Sequence, residues 1–357
     1  MTTTESTEMP PATTDPEATT VAQTGSLPES TWNHHHLLDL DDCSRTEIET
    51  VLTLADRMRE ILDRRIPRVP ALRGFTIVNL FYEPSTRTRA SFELAGKVLG
   101  ADVISVNSAT SSVQKGESLI DTVRTMRAMR TDAIVIRHPM AGAPYLAADH
   151  TDASIINAGD GTHAHPTQAL LDLYTMRRHV GDLTGKKVVM VGDIAHSRVA
   201  RSDLWGLAAM GAKVVVCGPP TLLPLGLRAQ DRPSHAKPAL PPVSIETNID
   251  IALEGADVVM ALRLQGERQE AGLLPSLHEY AAHYQVTAER LVRAKPEHLL
   301  MHPGPKNEGI EIAGDVARGD RSIIEEQVTN GVAVRMALLY LLSGRVDPSE
   351  VGAETRV

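Results

Sequence analysis

The chain has 357 residues, enough for two domains of ordinary size, and at 42% hydrophobic and 23% charged it reads as globular, with cores of aliphatic side chains because aromatics make up only 3%. A formal net charge of -9 argues against general nucleic-acid binding, so any anion site has to be a local concentration of positive charge. Two cysteines far apart, Cys43 and Cys217, argue against a disulfide framework or a cysteine metal site, and with no apolar run of membrane-spanning length and no signal-peptide pattern a cytoplasmic location is expected.

Residues 1–31 are mostly Thr, Glu, Pro and Ala without Lys or Arg, and read as a disordered acidic tail. His34, His35 and His36 run straight into Leu37-Leu38-Asp39-Leu40, which favours an ordinary lead into the fold over a tag-like metal site. Ser44 followed by Glu47 has the form of a capping box, and Ile48, Val51, Leu52, Leu54, Ala55 and Met58 then mark a helix. A strand is expected over 75–81. Pro84 blocks further pairing, Ser85 suits a helix N-cap, and Phe92, Leu94, Ala95, Val98 and Leu99 give the next helix its apolar face. Ser85, Thr86, Arg87 and Thr88 therefore sit where a strand ends and a helix begins, which suits a phosphate or similar dianion. From this stretch alone, a capped surface helix with two solvated arginines is an equal alternative.

A short strand over 102–106 leads to a polar loop, 107–115, and a helix over 118–130. Strands over 133–136 and 154–158 end at Arg137-His138-Pro139 and at a run reaching His165-Pro166-Thr167-Gln168. After a helix over 167–179 the pattern restarts: a strand over 187–191, a turn to Arg198, a helix over 199–210 and a strand over 213–217. The turn lacks G-x-G-x-x-G, which disfavours a nucleotide cofactor. The region 219–242 holds seven prolines and is expected to be a mobile loop. A strand over 257–261 is followed by Arg263-Leu264-Gln265, and one over 298–301 by His302-Pro303-Gly304-Pro305. A strongly apolar helix over 331–342 closes the pattern and is expected to pack back on the first domain. Strands alternating with helices imply parallel sheets, whose ligands bind beyond the carboxyl ends of the strands. The polar clusters all lie at such ends.

These motifs, in this order, resemble those of the aspartate/ornithine carbamoyltransferase family, and of its aspartate branch in particular, from residue 36 to 345. The resemblance implies an α/β fold of two doubly wound parallel-sheet domains with the C-terminal helix packed on the first. It divides the chain into a carbamoyl phosphate-binding domain, 32–167 completed by 331–345, and an aspartate-binding domain, 168–330. It implies transfer of the carbamoyl group from carbamoyl phosphate to the amine of L-aspartate, giving N-carbamoyl-L-aspartate and phosphate, toward pyrimidines. On the same resemblance Ser85, Thr86, Arg87, Thr88 and Arg137 hold the phosphate. Thr88, Arg137 and His165 point at the carbonyl oxygen, and with Arg87 they form the catalytic set. Gln168 and the backbone carbonyls near Pro303 and Gly304 hold the carbamoyl amide. The two carboxylates of aspartate call for guanidinium forks, and the matching positions are Arg198 and Arg263, with Gln265 and Lys115 assisting. In the family the residues matching Ser111 and Lys115 reach into a neighbouring subunit, which implies a homotrimer, with room for regulatory or dihydroorotase-type chains in a larger assembly. Alone, that loop reads as a solvated turn. No metal or organic cofactor is implied.

Other readings compete at single positions. His163 and His165 form an H-x-H pair, but no further ligand spacing supports a metal. Arg198 alone could be a surface residue. His302 reads as a structural strand-end residue outside the catalytic set, and Glu267 and Arg268 suit salt links between domains. Glu308 stands where many relatives carry a basic residue. An ornithine-type enzyme is the nearest alternative activity, but its cationic substrate wants an acidic or thiol-bearing pocket and a His-Cys-Leu-Pro motif at 302–305. A noncatalytic scaffold would be expected to lose anion-site residues, and none is lost.

Overall fold

A computed structural model describes Met1 and residues 32–107, 116–224, 227, 240–266 and 272–344. The rest of the tail, the loop bearing Ser111 and Lys115, Glu267 and Arg268, and most of the proline-rich segment lie outside the described residues.

The first half runs α1 (Arg45–Leu62), β1 (Thr76–Phe81), α2 (Thr86–Val98), β2 (Asp102–Asn107), α3 (Leu119–Ala128), β3 (Ala133–His138), α4 (Ala143–Ala148), β4 (Ser154–Asp160) and α5 (Pro166–Val180). The second runs β5 (Lys187–Val191), α6 (Arg198–Ala209), β6 (Lys213–Cys217), β7 (Ser244–Glu246), α7 (Ile249–Leu253), β8 (Val258–Ala261), α8 (Leu277–Tyr284), α9 (Ala288–Leu291), β9 (Leu299–Met301), α10 (Gly314–Ala317) and α11 (Ile324–Leu342). Two parallel sheets result, ordered β2-β1-β3-β4 and β7-β6-β5-β8-β9. Helices cover both faces, so the central strands must be apolar on both sides, and β4 is buried along its whole length.

Local chemistry sets the element ends. Ser44 and Glu47 form the capping box of α1: Ser44 Oγ accepts from the Glu47 N–H at 3.3 Å and Glu47 Oε2 accepts from the Ser44 N–H at 2.8 Å. Such a cap contributes about 1 kcal/mol. The apolar face expected for α1 is buried in full. That of α2 is buried except for Leu94, which stands 49% exposed. α11 starts at Ile324 rather than 331, because Gln327 and Asn330 find polar partners on α5 and need not end the helix. From 331 to 342 every residue is buried, and α11 packs on α1, α2 and α5, back on the first half. The short α4, β7 and α7 to α10 had no signal in the sequence, since three to eight residues carry too little periodicity. The main apolar cluster runs from α1, α2 and α11 through α5 to one face of the second sheet, and smaller clusters cover the outer faces.

Candidate active site

The carboxyl ends of both sheets open on one cavity of about 1000 Å³. Its first wall begins where β1 gives way to α2. Ser85 is the N-cap of α2, yet its side chain makes no capping bond, so the first N–H groups and the positive dipole end of the helix face the opening. Ser85, Thr86, Arg87 and Thr88 all line it. Arg137 occupies the end of β3 and donates to the Ala158 carbonyl at 3.0 Å. His165, the N-cap of α5, is buried, with its N–H on Ser202 Oγ at 2.9 Å, and Gln168 lies one turn further. The end of β4 needs glycine: Gly159 has φ +115°, and a Cβ there would fall 2.9 Å from the Arg198 guanidinium and 3.0 Å from that of Arg137.

The second wall comes from the other sheet. Arg198 opens α6, and Arg263 and Gln265 follow β8. Arg263 donates to Gln265 Oε1 at 3.2 Å, and the Gln265 N–H donates to Asp193 Oδ2 at 3.2 Å. Arg198 is 4% exposed, and its guanidinium donates to the Gly161 carbonyl at 3.1 Å and to Glu83 Oε2 at 2.8 Å. The same Glu83 oxygen lies 3.4 Å from Arg137 Nε. One carboxylate thus ties an arginine of each half together, a role the sequence reading left unassigned. Partial burial, and then the charge of Arg263, lower the Arg87 pKa. The two guanidiniums come from opposite walls and repel, which an anion between them would relieve.

The turn after β9 supplies Pro303 and Gly304. Arg87 lies against it: a Cβ on Gly304, which has φ +65°, would meet the Arg87 guanidinium at 3.2 Å. His302, also in the lining but buried, acts as a brace: its Nδ1 accepts the Gly304 N–H at 2.8 Å and its Nε2 lies 3.2 Å from Glu311 Oε1. Glu308 pairs with Lys306 at 3.0 Å and with Arg318, so the acidic departure is matched by local cations. The cavity therefore gathers Ser85, Thr86, Arg87, Thr88, Arg137, His165, Gln168, Arg198, Arg263, Gln265, Pro303 and Gly304, while Ser111 and Lys115 lie outside the described residues. Sequence reasoning missed Glu83, Gln327 and Arg335, which also line it. The last two had a signal: polar residues interrupting an apolar helix.

The histidine pairs do not converge. His163 turns to buried Asp160, at 3.1 Å, and that hydrogen bond raises its pKa, whereas His165 faces the cavity. His34, Asp42 and Cys43 bring potential ligand atoms within 4.8 Å of one another. His34 Nε2 is, however, 3.0 Å from Glu47 Oε1, and burial with the charge of Asp42 pushes the Cys43 thiol up. These groups already satisfy one another around the α1 cap.

Two family models match in sequence: the aspartate/ornithine carbamoyltransferase carbamoyl-P binding domain over residues 35–178 and the Asp/Orn binding domain over 184–342. Aspartate carbamoyltransferase catalytic subunits from Roseiflexus castenholzii and Dehalococcoides mccartyi are 60% and 56% identical over 309 and 313 residues, covering 87% and 88% of this chain and 95% and 93% of theirs. Among solved structures, aspartate transcarbamoylase from Trypanosoma cruzi in complex with carbamoyl phosphate and aspartate superposes with a TM-score of 0.77 at 29% identity, covering 88% of this chain and 99% of that one. Ornithine carbamoyltransferase from Pyrococcus furiosus gives 0.75 at 30%, covering 87% and 98%. The fold is common to both activities, so the choice between them falls to the residues of the cavity.

Proposed function

The chain belongs to the aspartate/ornithine carbamoyltransferase family, and on that premise we infer that it transfers the carbamoyl group of carbamoyl phosphate to the amine of L-aspartate, giving N-carbamoyl-L-aspartate and phosphate for pyrimidine synthesis. The observation that carries the choice of acceptor is the charge of the walls. Arg87, Arg137, Arg198 and Arg263 meet there, and among the described lining residues Glu83 is the one acid, already shared by Arg137 and Arg198. Such a cavity suits a dianion beside a dicarboxylate and repels the cationic side chain of ornithine.

The roles follow from placement. Residues 32–167, with the C-terminal helix, take carbamoyl phosphate, and 168–330 take aspartate. Ser85, Thr86, Arg87, Thr88 and the N-terminus of α2 hold the phosphate, while Arg263 with Gln265 takes a carboxylate. Thr88, Arg137 and His165 donate toward the carbonyl oxygen, where charge grows as the amine adds to the carbon. Each such donor lowers the barrier by about 3 kcal/mol. The new C–N bond replaces the C–O bond to phosphate, and the departing phosphate can take the amine proton. Gln168 and the carbonyls near Gly304 hold the carbamoyl NH2. Ser111 and Lys115 complete the site from a neighbouring copy in a homotrimer; in support, Leu94 and Ile104, on α2 and edge strand β2, are 49% and 52% exposed beside the loop's point of departure. Two buried free cysteines favour a cytoplasmic location, and among the described residues no helix is long and apolar enough to cross a membrane.

The test is steady-state transfer with aspartate against ornithine, together with Arg263→Ala. Aspartate should be the acceptor, and the variant should raise its KM ~10- to 100-fold, the worth of a charge-assisted pair, with carbamoyl phosphate affinity kept by calorimetry. Transfer to ornithine at a comparable rate, or equal loss of both substrates in the variant, overturns the reading.

A further inference from the structure

Carbamoyl phosphate differs from acetyl phosphate in one substituent, NH2 against CH3. A site that tells them apart needs acceptors fixed toward that NH2, and an unrestrained glutamine amide is a poor choice because it can rotate to present either end. Gln168 is not unrestrained. Its Nε2 donates to both oxygens of Asp172, at 3.1 and 3.2 Å, one turn further along α5. Gln327, on α11, donates its Nε2 to Asp172 Oδ1 at 2.7 Å. The Asp172 oxygens accept from both amides, which therefore turn their NH2 groups toward it. Gln168 is left with its carbonyl oxygen for a ligand. Gln327 is left with its carbonyl oxygen on the His302 N–H, at 3.0 Å, and His302 in turn holds the Gly304 N–H.

We propose that Asp172 is a positioning residue for carbamoyl selectivity: one buried carboxylate orients the Gln168 acceptor and, through Gln327, braces the 302–304 turn whose backbone carbonyls are the other acceptors. This rests on the carbamoyl-transfer reading above. Packing alone does not account for an acid here. Asp172 is fully buried, where an ionised carboxylate is costly and an apolar residue of similar size would fill the space. Its nearby positive charge, Arg335, is itself buried and stacked 5.1 Å over the Phe92 ring. The four residues come from two helices, α5 and α11: Gln168, Gln327 and Arg335 line the cavity, and Asp172 lies behind them.

The experiment compares carbamoyl phosphate and acetyl phosphate binding by calorimetry in the full chain, with transfer to aspartate measured alongside. The wild-type protein must first turn over carbamoyl phosphate with aspartate; failure there removes the transfer reading itself. In Asp172→Asn the new amide NH2 faces a glutamine NH2, so one glutamine turns over and the acceptor pair is lost. Carbamoyl phosphate should bind ~10- to 100-fold more weakly, the cost of leaving a polar group unmatched, and acetyl phosphate equally well as before. Gln327→Met, which keeps Asp172, should shift the same preference in the same direction and carries the test if Asp172→Asn does not fold. An active wild-type protein whose variants weaken both ligands alike, or neither, overturns the proposal.

Discussion

Arg137 shows how one side chain can serve the site without serving the fold. Its guanidinium is held by the Ala158 carbonyl and lies against Glu83, but Glu83 keeps Arg198 as a closer partner. Arg137→Ala should therefore cost on the order of 1–2 kcal/mol of stability, the range for lost hydrogen bonds at a partly exposed group. Turnover should fall ~100- to 1000-fold, the worth of one donor to a developing oxyanion. Thermal melting and kcat on the same preparation check this, and a well-folded variant of near-normal turnover would remove Arg137 from the oxyanion set. Gly159 and Gly304 are the counterparts among small residues: each gives the space in which an arginine lies, and the left-handed backbone of each disfavours any side chain.

At the scale of elements, the α5–α6 packing contains an unusual cost. Asp203 on α6 is 1% exposed, and neither carboxylate oxygen has a hydrogen-bond partner among the described residues. Burial, and then the charge of Asp172, push its pKa well up. Burial pushes Asp172 up to about 7 against the pull of Gln327, Gln168 and Arg335. The sign follows from proton counts. Between the unfolded carboxylate value, about 3.9, and these raised values, the native state binds more protons than the unfolded one, so stability falls as pH rises. Asp203→Asn removes one of the two charges without changing volume. Its Tm should exceed that of the wild type at pH 8, with the difference shrinking toward pH 5. Melting curves across that range decide it; a variant less stable than the wild type at pH 8 would show that the Asp203 carboxylate is stabilised after all.

At the scale of the molecule, Glu83 and the α5–α11 contacts bind two separately wound sheets into one catalytic cavity. If Ser111 and Lys115 come from a neighbouring subunit, that logic extends one level further. Arg87→Ala and Lys115→Ala should each be nearly inactive. Mixed under conditions of subunit exchange, they should regain activity at about a quarter of the sites, where an intact Arg87 from one copy meets an intact Lys115 from the next in a cyclic trimer. Mass spectrometry establishes the exchange. Exchange without recovered activity, or full activity in a monomer, would end the shared-site model.

The residues that touch substrate in this scheme were legible in the chain, and for a physical reason. In a parallel sheet every strand points the same way, so the segments after β1, β3, β4, β8 and β9 must converge at one edge of their sheets, whatever the angle between the domains. Polar clusters at Ser85, Arg137, His165, Arg263 and Pro303 follow the strands directly, and the cavity gathers all of them. The contacts that hold those clusters in place were not legible. Glu83 and Arg198 are 115 positions apart, and Asp172 and Gln327 are 155 apart. Neither pair shares a local pattern, because each exists only through the way α6 meets the first sheet or α11 lies across α5. Sequence periodicity records which face of a helix is apolar; it does not record which helix that face will meet. The polar partners buried at such a meeting are decided by tertiary packing: Asp172 is satisfied only because α11 brings Gln327 to it, while Asp203, to which no segment among the described residues brings a hydrogen bond, is left as a cost.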